Sequence, residues 1–304
     1  MPKLKIGTRG SPLALYQAHE TRRRLMAAHG LAEDEIDIIV ITTTGDRVRD
    51  RPLAEIGGKG LFTKEIEEAL FDGSIHLAVH SMKDMPAHLP DGLIISALLP
   101  REDARDAFLS PVAANIEGLA RGAVVGSSSV RRAAQLKRLR PDLEVVQFRG
   151  NVETRLRKLA DGVAQATFLA CAGLNRLGLA DKITSIVPID LMLPAVAQGC
   201  IGIEARADDD ATRAVLAPLD HWESATAVAC ERAFLAALDG SCRTPLAGHA
   251  TLVDGELRFR GHALTLDGAH CFETQRHGTP ADASRMGREA GEEVKAMGGS
   301  FIAF

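Results

Sequence analysis

Hydrophobic and polar positions follow two recurring patterns along the first two thirds of the chain. Short apolar runs, such as residues 36–43 and 75–79, are typical of buried strands. Longer segments, such as residues 12–29 and 130–139, carry apolar positions at helical spacing, and the first begins at Ser11-Pro12, a good helix start. The order strand, helix, strand occurs in both halves of this region and predicts two similar α/β domains.

The last third has a different pattern. A long amphipathic segment, residues 222–238, predicts a helix, and a second helix is predicted at residues 281–297. Three alternating runs lie between them: residues 246–253, 256–265 and 270–276. They are joined through Asp254-Gly255 and Asp267-Gly268, and this dipeptide favours hairpins. We therefore expect a small α+β domain with a three-stranded antiparallel sheet.

Composition narrows the class of protein. The chain has 304 residues, enough for two or three domains, and a net charge of -4, which gives no overall attraction to nucleic acid or membranes. Its start has no apolar signal segment, and no apolar run is long enough to span a bilayer. Five scattered cysteines without Cys-x-x-Cys spacing argue against disulfides or a metal site. We expect a cytoplasmic protein.

Asp84 is the first candidate for chemistry. It follows Lys83 just past the buried run 75–79, and open α/β folds place their sites beyond the carboxyl ends of such strands. The alternative is a solvated surface ion pair.

Several segments are typical of anion sites. Arg9 and Ser11 lie just before the first predicted helix, where free backbone N–H groups attract anions. A well-capped helix without a ligand explains the two residues equally well. Residues 121–158 contain ten lysines and arginines against three acids, in an otherwise acidic protein. Aromatic residues are only 4%, which argues against a nucleic-acid stacking surface and favours a cleft for a small polyanion.

Two further residues have open interpretations at this point. Lys59 lies in the segment GGKG, which lacks the spacing of a nucleotide phosphate loop and reads as a loop with one cation. Cys242 lies in a Gly/Ser loop beside Arg243, whose charge favours a thiolate, but a buried turn thiol is an alternative.

Nine segments together resemble the porphobilinogen deaminase family, in the right order and over nearly the whole chain. They are TRGSPLAL (8–15), GGKGLFTKEIE (57–67), AVHSMKDMP (78–86), REDARDAF (101–108), GSSSVRR (126–132), RGNVETRL (149–156), AGLNRLGL (172–179), LPAVAQG (193–199) and GSCRTPL (240–246). The serine-rich loop at residues 126–130, called the hydroxyl loop below, differs slightly from the family pattern, because it reads Gly-Ser-Ser-Ser-Val.

The resemblance implies two α/β domains like those of type II periplasmic binding proteins, with the active cleft between them, and a small third domain. Domain 1 would comprise residues 1–99 and 200–217, domain 2 residues 100–199, and domain 3 residues 218–304. It also implies a transferase of heme biosynthesis that joins four porphobilinogen molecules into hydroxymethylbilane with loss of ammonia, acting as a monomer.

The same resemblance assigns the site residues. Asp84 would be the catalytic aspartate, and a dipyrromethane cofactor would be attached to Cys242 by a thioether. Further residues would bind that cofactor: Lys83, Asp46, Ser127, Ser129, Arg131 and Arg132. Others would bind substrate: Arg9, Ser11, Lys59, Arg149, Arg155, Arg176 and Gln198. A competing hypothesis is a non-catalytic carboxylate sensor with a periplasmic-binding-protein fold, which would need neither Asp84 nor Cys242.

Overall fold

A computed structural model describes residues 3–47, 62–240 and 244–301 of the chain. The strands in chain order are β1 Leu4–Thr8, β2 Ile36–Val40, β3 Leu77–Ser81, β4 Leu93–Leu98, β5 Asp106–Leu109, β6 Val124–Gly126, β7 Glu144–Val146, β8 Ala166–Ala170, β9 Ser185–Ile186, β10 Ile201–Arg206, β11 Leu246–Val253, β12 Glu256–Leu264 and β13 Cys271–Gly278. The helices are α1 Pro12–His29, α2 Thr44–Arg47, α3 Lys64–Phe71, α4 Val130–Leu139, α5 Val152–Ala160, α6 Cys171–Arg176, α7 Asp210–Leu216, α8 Trp222–Ala237 and α9 Ala283–Gly298.

The chain divides into two compact units. The first comprises residues 1–101 and 200–225, and the second comprises residues 102–199 and 226–304. The chain first passes from one unit to the other between Arg101 and Glu102. The three-domain division with boundaries at 99, 199 and 217 stays a prediction.

The first unit is built on a five-stranded mixed sheet in the order β2-β1-β3-β10-β4. Strands β1, β2 and β3 are parallel, whereas β10 runs antiparallel to both β3 and β4. Ile6, Leu77 and Ile203 form part of its fully buried core. Such near-continuous apolar strands are expected of a sheet whose two faces are both covered.

The second unit contains a sheet of the same pattern, β7-β6-β8-β5-β9, and the C-terminal sheet β11-β12-β13. Three strands of the former are parallel, and β5 is antiparallel to β8 and β9. The C-terminal sheet is wholly antiparallel. The ring of Phe259 in β12 packs against the ring of Phe234 in α8, with their centres 5.1 Å apart. These topologies confirm the predicted fold class.

Several predicted bounds differ from the structure; the apolar run 36–43, for example, forms a strand only over Ile36–Val40. Strand β3 continues to Ser81 instead of ending at Val79, because β10 adds ladder pairs opposite His80 and Ser81. The charged segment 101–105 leads directly into Asp106, which begins the buried strand β5 although no apolar pattern marks that position. Pairing with strands distant in the sequence sets the end of β3 and the start of β5, and local periodicity does not show such pairing.

Candidate active site

Asp84 lies in a short 3-10 turn, Met82–Asp84, that follows β3 directly. The turn is anchored by Met82, which is buried, donates its backbone N–H to the Cys200 carbonyl at 3.0 Å and lies against Gly202 of β10. A Cβ at Gly202 would collide with the Met82 sulfur, so a larger residue there would have to displace the Met82 side chain. Met85 is also buried, whereas Asp84 is exposed and Lys83 is half-buried. The carboxylate is thus presented to solvent from a fixed backbone.

Arg9 follows the parallel neighbour β1, so it leaves the same edge of the sheet as the Asp84 turn. Its guanidinium makes a two-pronged ion pair with Asp46, at 2.5 Å and 3.2 Å, and lies 4.2 Å from the centre of the Phe62 ring. Burial alone would raise the pKa of Asp46, but the hydrogen bonds from Arg9 and Thr43 outweigh it and lower that pKa. Two predicted site residues, Arg9 and Asp46, are therefore brought together.

Ser11 has the capping role that its position predicts. Its hydroxyl accepts the Ala14 N–H at 3.3 Å and begins α1. The hydrogen bond satisfies one of the free N–H groups at this helix end, beside Arg9.

Behind the Asp84 turn lies a buried ionisable cluster. His80 of β3 contacts Glu204 of β10 through Nε2 and Oε2, 2.9 Å apart, and both side chains are buried. Glu67 of α3 is also buried, and its pKa is raised by burial and by the negative charge of Glu204. Sequence analysis singled out neither acid, since Glu204 is a lone acid in an apolar strand and Glu67 is one of three glutamates in α3.

The strongest electrostatic feature of the second unit is a pair of buried arginines. Arg131 and Arg132 begin α4, and each side chain is only 6% exposed. Their Nη2 atoms both donate to Asp106, each at 2.8 Å, while their Nη1 atoms donate to the Leu193 and Phe168 carbonyls. Two guanidinium groups thus share one carboxylate. The Nε atoms of both arginines are shielded from solvent and have no hydrogen-bond partner.

Asp106 is the residue that sequence analysis missed. It is fully buried, and its pKa, which burial would raise, is held well below its usual range by Arg131 and Arg132. Gln198 is buried as well and donates to the same carboxylate at 2.9 Å. Two adjacent arginines on the buried side of a helix need a carboxylate nearby to offset their charge. The arginine pair in the sequence could therefore have prompted a search for an acid at the start of an apolar run, where Asp106 lies.

The hydroxyl loop before α4 is ordered by its own hydrogen bonds. Ser129 caps the helix by accepting the Arg132 N–H at 3.4 Å, and its own N–H donates to the Ser127 hydroxyl at 3.2 Å. Ser127 is buried beside this helix start. The loop therefore holds two hydroxyls at the amino end of the helix that carries both arginines.

The remaining basic residues of the second unit have different environments. Arg149 is half-buried, and its Nη1 is shielded with no hydrogen-bond partner. Arg155 donates from Nε to the Gly150 carbonyl at 2.9 Å, and Arg176 donates to the Gly199 carbonyl at 2.6 Å. Lys59 and Cys242 lie outside the described residues.

These groups suit a small polycarboxylate. Asp106 neutralises one of the two buried guanidinium charges, so one positive charge remains, together with two N–H groups that need acceptors. No helix among the described residues is long and apolar enough to cross a membrane.

Comparison with protein families gives two matches. Residues 4–214 match the model described as porphobilinogen deaminase, dipyromethane cofactor binding domain. Residues 225–296 match the model described as porphobilinogen deaminase, C-terminal domain.

Comparison with individual proteins gives close relatives in sequence and solved structures of low sequence identity, of which three are described here. The chain is 61% identical over 292 residues to a porphobilinogen deaminase of Paracoccus denitrificans, covering 96% of this chain and 93% of the relative. A periplasmic substrate-binding protein of an ABC transporter from Coxiella burnetii is 14% identical, with a TM-score of 0.42 over 71% of this chain and 91% of that one. The periplasmic VFT2 domain of BvgS from Bordetella pertussis is 16% identical, with a TM-score of 0.41 over 71% and 85%.

Proposed function

This chain belongs to the porphobilinogen deaminase family, and from that premise we propose that it joins four porphobilinogen molecules head to tail into hydroxymethylbilane. One ammonia is lost at each addition, and water releases the linear product. The protein is thus a transferase of heme biosynthesis. The competing hypothesis of a carboxylate sensor does not explain a 61% identical deaminase relative.

The observation that carries the proposal is the buried pair Arg131 and Arg132, with one shared carboxylate and two unpartnered Nε–H groups. Each pyrrole unit of substrate and cofactor has an acetate and a propionate side chain. Their carboxylates are the acceptors that these forked donors fit best. The residues present therefore fit a dipyrromethane.

That group, joined to Cys242 by a thioether, would supply the terminal pyrrole to which substrate is added. We propose that it is held through its carboxylates by several side chains: Lys83, Ser127, Ser129, Arg131 and Arg132. Asp46 completes this set by fixing Arg9 in its ion pair.

Asp84 is the proposed catalytic residue. Loss of ammonia leaves a positive charge on the pyrrole, and an ionised carboxylate stabilises such a charge and accepts protons. The turn anchored by Met82 presents this carboxylate in a fixed position, so little reorganisation is needed during each addition.

The incoming substrate needs its own carboxylate donors. We propose that these are Arg9, Ser11, Lys59, Arg149, Arg155 and Arg176. Arg149 fits this role because its shielded Nη1 has no hydrogen-bond partner. Gln198, predicted with them, donates to Asp106 and so would act by fixing that carboxylate.

We also propose that the protein works in the cytoplasm as a monomer, without nucleic-acid or membrane partners. The net charge of -4 supports the absence of nonspecific binding to polyanions. Size-exclusion chromatography with light scattering measures the mass of the protein in solution, and the mass of a dimer would contradict the proposed monomer.

Intact mass under denaturing conditions tests the cofactor. The purified protein should exceed its chain mass by two linked pyrrole units, and Cys242→Ser should remove the excess. The control variant Cys271→Ser removes a different thiol and should keep the excess mass. Bare chain mass after production with porphobilinogen present would contradict the proposal.

Turnover of porphobilinogen tests Asp84. Asp84→Asn keeps the shape but removes the negative charge, so kcat should fall by about 100-fold or more. Asp91→Asn, which changes an exposed acid seven residues later, should leave kcat unchanged. Near-normal turnover of Asp84→Asn, with retained far-ultraviolet circular dichroism, would remove Asp84 from the catalytic role.

A further inference from the structure

A second group of chemically active side chains lies in the C-terminal sheet. His262 of β12 stands directly opposite Glu273 of β13, and Cys271 precedes Glu273 by two residues. Directly opposed residues, and residues two apart on one strand, project from the same face of a sheet. The register therefore places an imidazole, a thiol and a carboxylate side by side.

Their potential ligand atoms lie within 4.8 Å of one another. The Cys271 sulfur already donates to Glu273 Oε1 at 3.3 Å. Around a tetrahedral zinc ion, ligand atoms stand about 3.3–3.8 Å apart, given the usual bond lengths. A small side-chain adjustment, without backbone movement, would bring the three atoms to that spacing.

His262 supplies an independent sign of a missing partner. Its Nε2 is shielded from solvent and has no hydrogen-bond partner. A bound ligand would supply the partner that this shielded atom lacks.

We propose that His262, Cys271 and Glu273 form a binding site for a divalent cation of the zinc type, with water in the remaining position. Nitrogen, sulfur and carboxylate oxygen are the ligands that zinc selects, and three protein ligands leave one position open. No Cys-x-x-Cys spacing announces the site in the sequence, because its ligands come from two strands.

The charge balance sets a moderate affinity. Binding forms a sulfur–metal bond and releases the Cys271 proton to solvent, so thiolate and carboxylate together offset the two positive charges of the ion. Arg138 of α4, which acts electrostatically on both His262 and Cys271, opposes the cation.

Cobalt(II) titration of chelator-treated protein tests the site, because a cobalt–thiolate bond gives a charge-transfer absorption band. We expect one cobalt ion per chain, displaced by zinc. Cys271→Ser should abolish the band, and His262→Gln should weaken binding by at least about tenfold, the effect that loss of even an outer-shell partner has. Arg138→Gln, at an exposed position, should strengthen binding.

Two controls separate this site from other metal-binding groups. His277→Gln removes an exposed histidine paired with Glu256 on the same sheet and should change nothing. The Cys242→Ser protein should keep the band, which excludes that thiol as the ligand. No band in the parent, or a band that survives in Cys271→Ser, would overturn the proposal. If Cys271→Ser fails to fold, Glu273→Gln at an exposed position supplies the decisive loss of affinity. None of these readouts depends on turnover.

Discussion

At the scale of single residues, one carboxylate holds the buried arginine pair of the second unit. Asp106 receives both Arg131 and Arg132 at 2.8 Å, and Gln198 at 2.9 Å, with no exposure to solvent. The pair would otherwise consist of two buried like charges. Asp106 thus holds the guanidinium groups in place while leaving one positive charge for a ligand.

We predict that Asp106→Asn lowers the free energy of unfolding by about 3–5 kcal/mol, the cost of leaving buried charges uncompensated. Urea denaturation of the parent and the variant measures this loss in the free energy of unfolding. Asp103→Asn removes a partly exposed pair with Arg105, whose side chain is 43% exposed, and should cost at most about 1 kcal/mol. Equal losses in the two variants would contradict a special role for the buried pair.

At the scale of elements, the two turns of the C-terminal sheet use glycine for different reasons. Asp254 and Gly255 both have positive φ, +52° and +81°, as a two-residue hairpin requires, and a Cβ at Gly255 would meet nothing within 4 Å. Gly268 also has positive φ, +73°, but a Cβ there would collide with the Ala134 carbonyl and approach the Arg138 nitrogen to 2.8 Å. The second turn therefore packs directly on the backbone of α4.

This difference predicts unequal effects of alanine. Gly255→Ala should lower the free energy of unfolding by about 1–2 kcal/mol, through backbone strain alone. Gly268→Ala should cost about 1–3 kcal/mol more, because α4 must also move. Because α4 carries Arg131 and Arg132, porphobilinogen turnover should fall in Gly268→Ala but not in Gly255→Ala. Equal stability losses would show that the contact with α4 is unimportant.

At the scale of the whole molecule, each unit has a buried ionisable cluster, and the two respond to pH in opposite directions. The pKa of Asp106 is lowered, so its contribution to stability is present above its unfolded pKa of about 3.9 and is lost as pH falls through the folded value. The pKa of Glu67 is raised, so its contribution is present below about 4.3 and is lost as pH rises through its folded value.

Glu67→Gln should consequently become more stable, relative to the parent, as pH rises from about 4 to 8, because it removes a buried charge that forms only at higher pH. Denaturant unfolding across this range measures the difference. Glu68→Gln changes the exposed neighbour and should show no such trend. A parent-to-variant difference that is constant with pH would exclude ionisation of Glu67.

The sequence by itself determined the fold class, most elements and the family. Helix α4 has the predicted bounds, residues 130–139, because Ser129 before it and Pro141 after it are local start and stop signals. The basic residues near α4 were equally visible, since charge excess is a property of composition.

Tertiary structure alone decided which charges meet. Asp106 joins Arg131 and Arg132 across about 25 residues of chain, and His262 meets Cys271 and Glu273 only through the β12–β13 register. Local periodicity reports which side of an element is apolar, whereas the partner of a buried charge depends on which elements pack together. That is why the sequence pointed to Arg131 and Arg132 but not to the carboxylate that orders them.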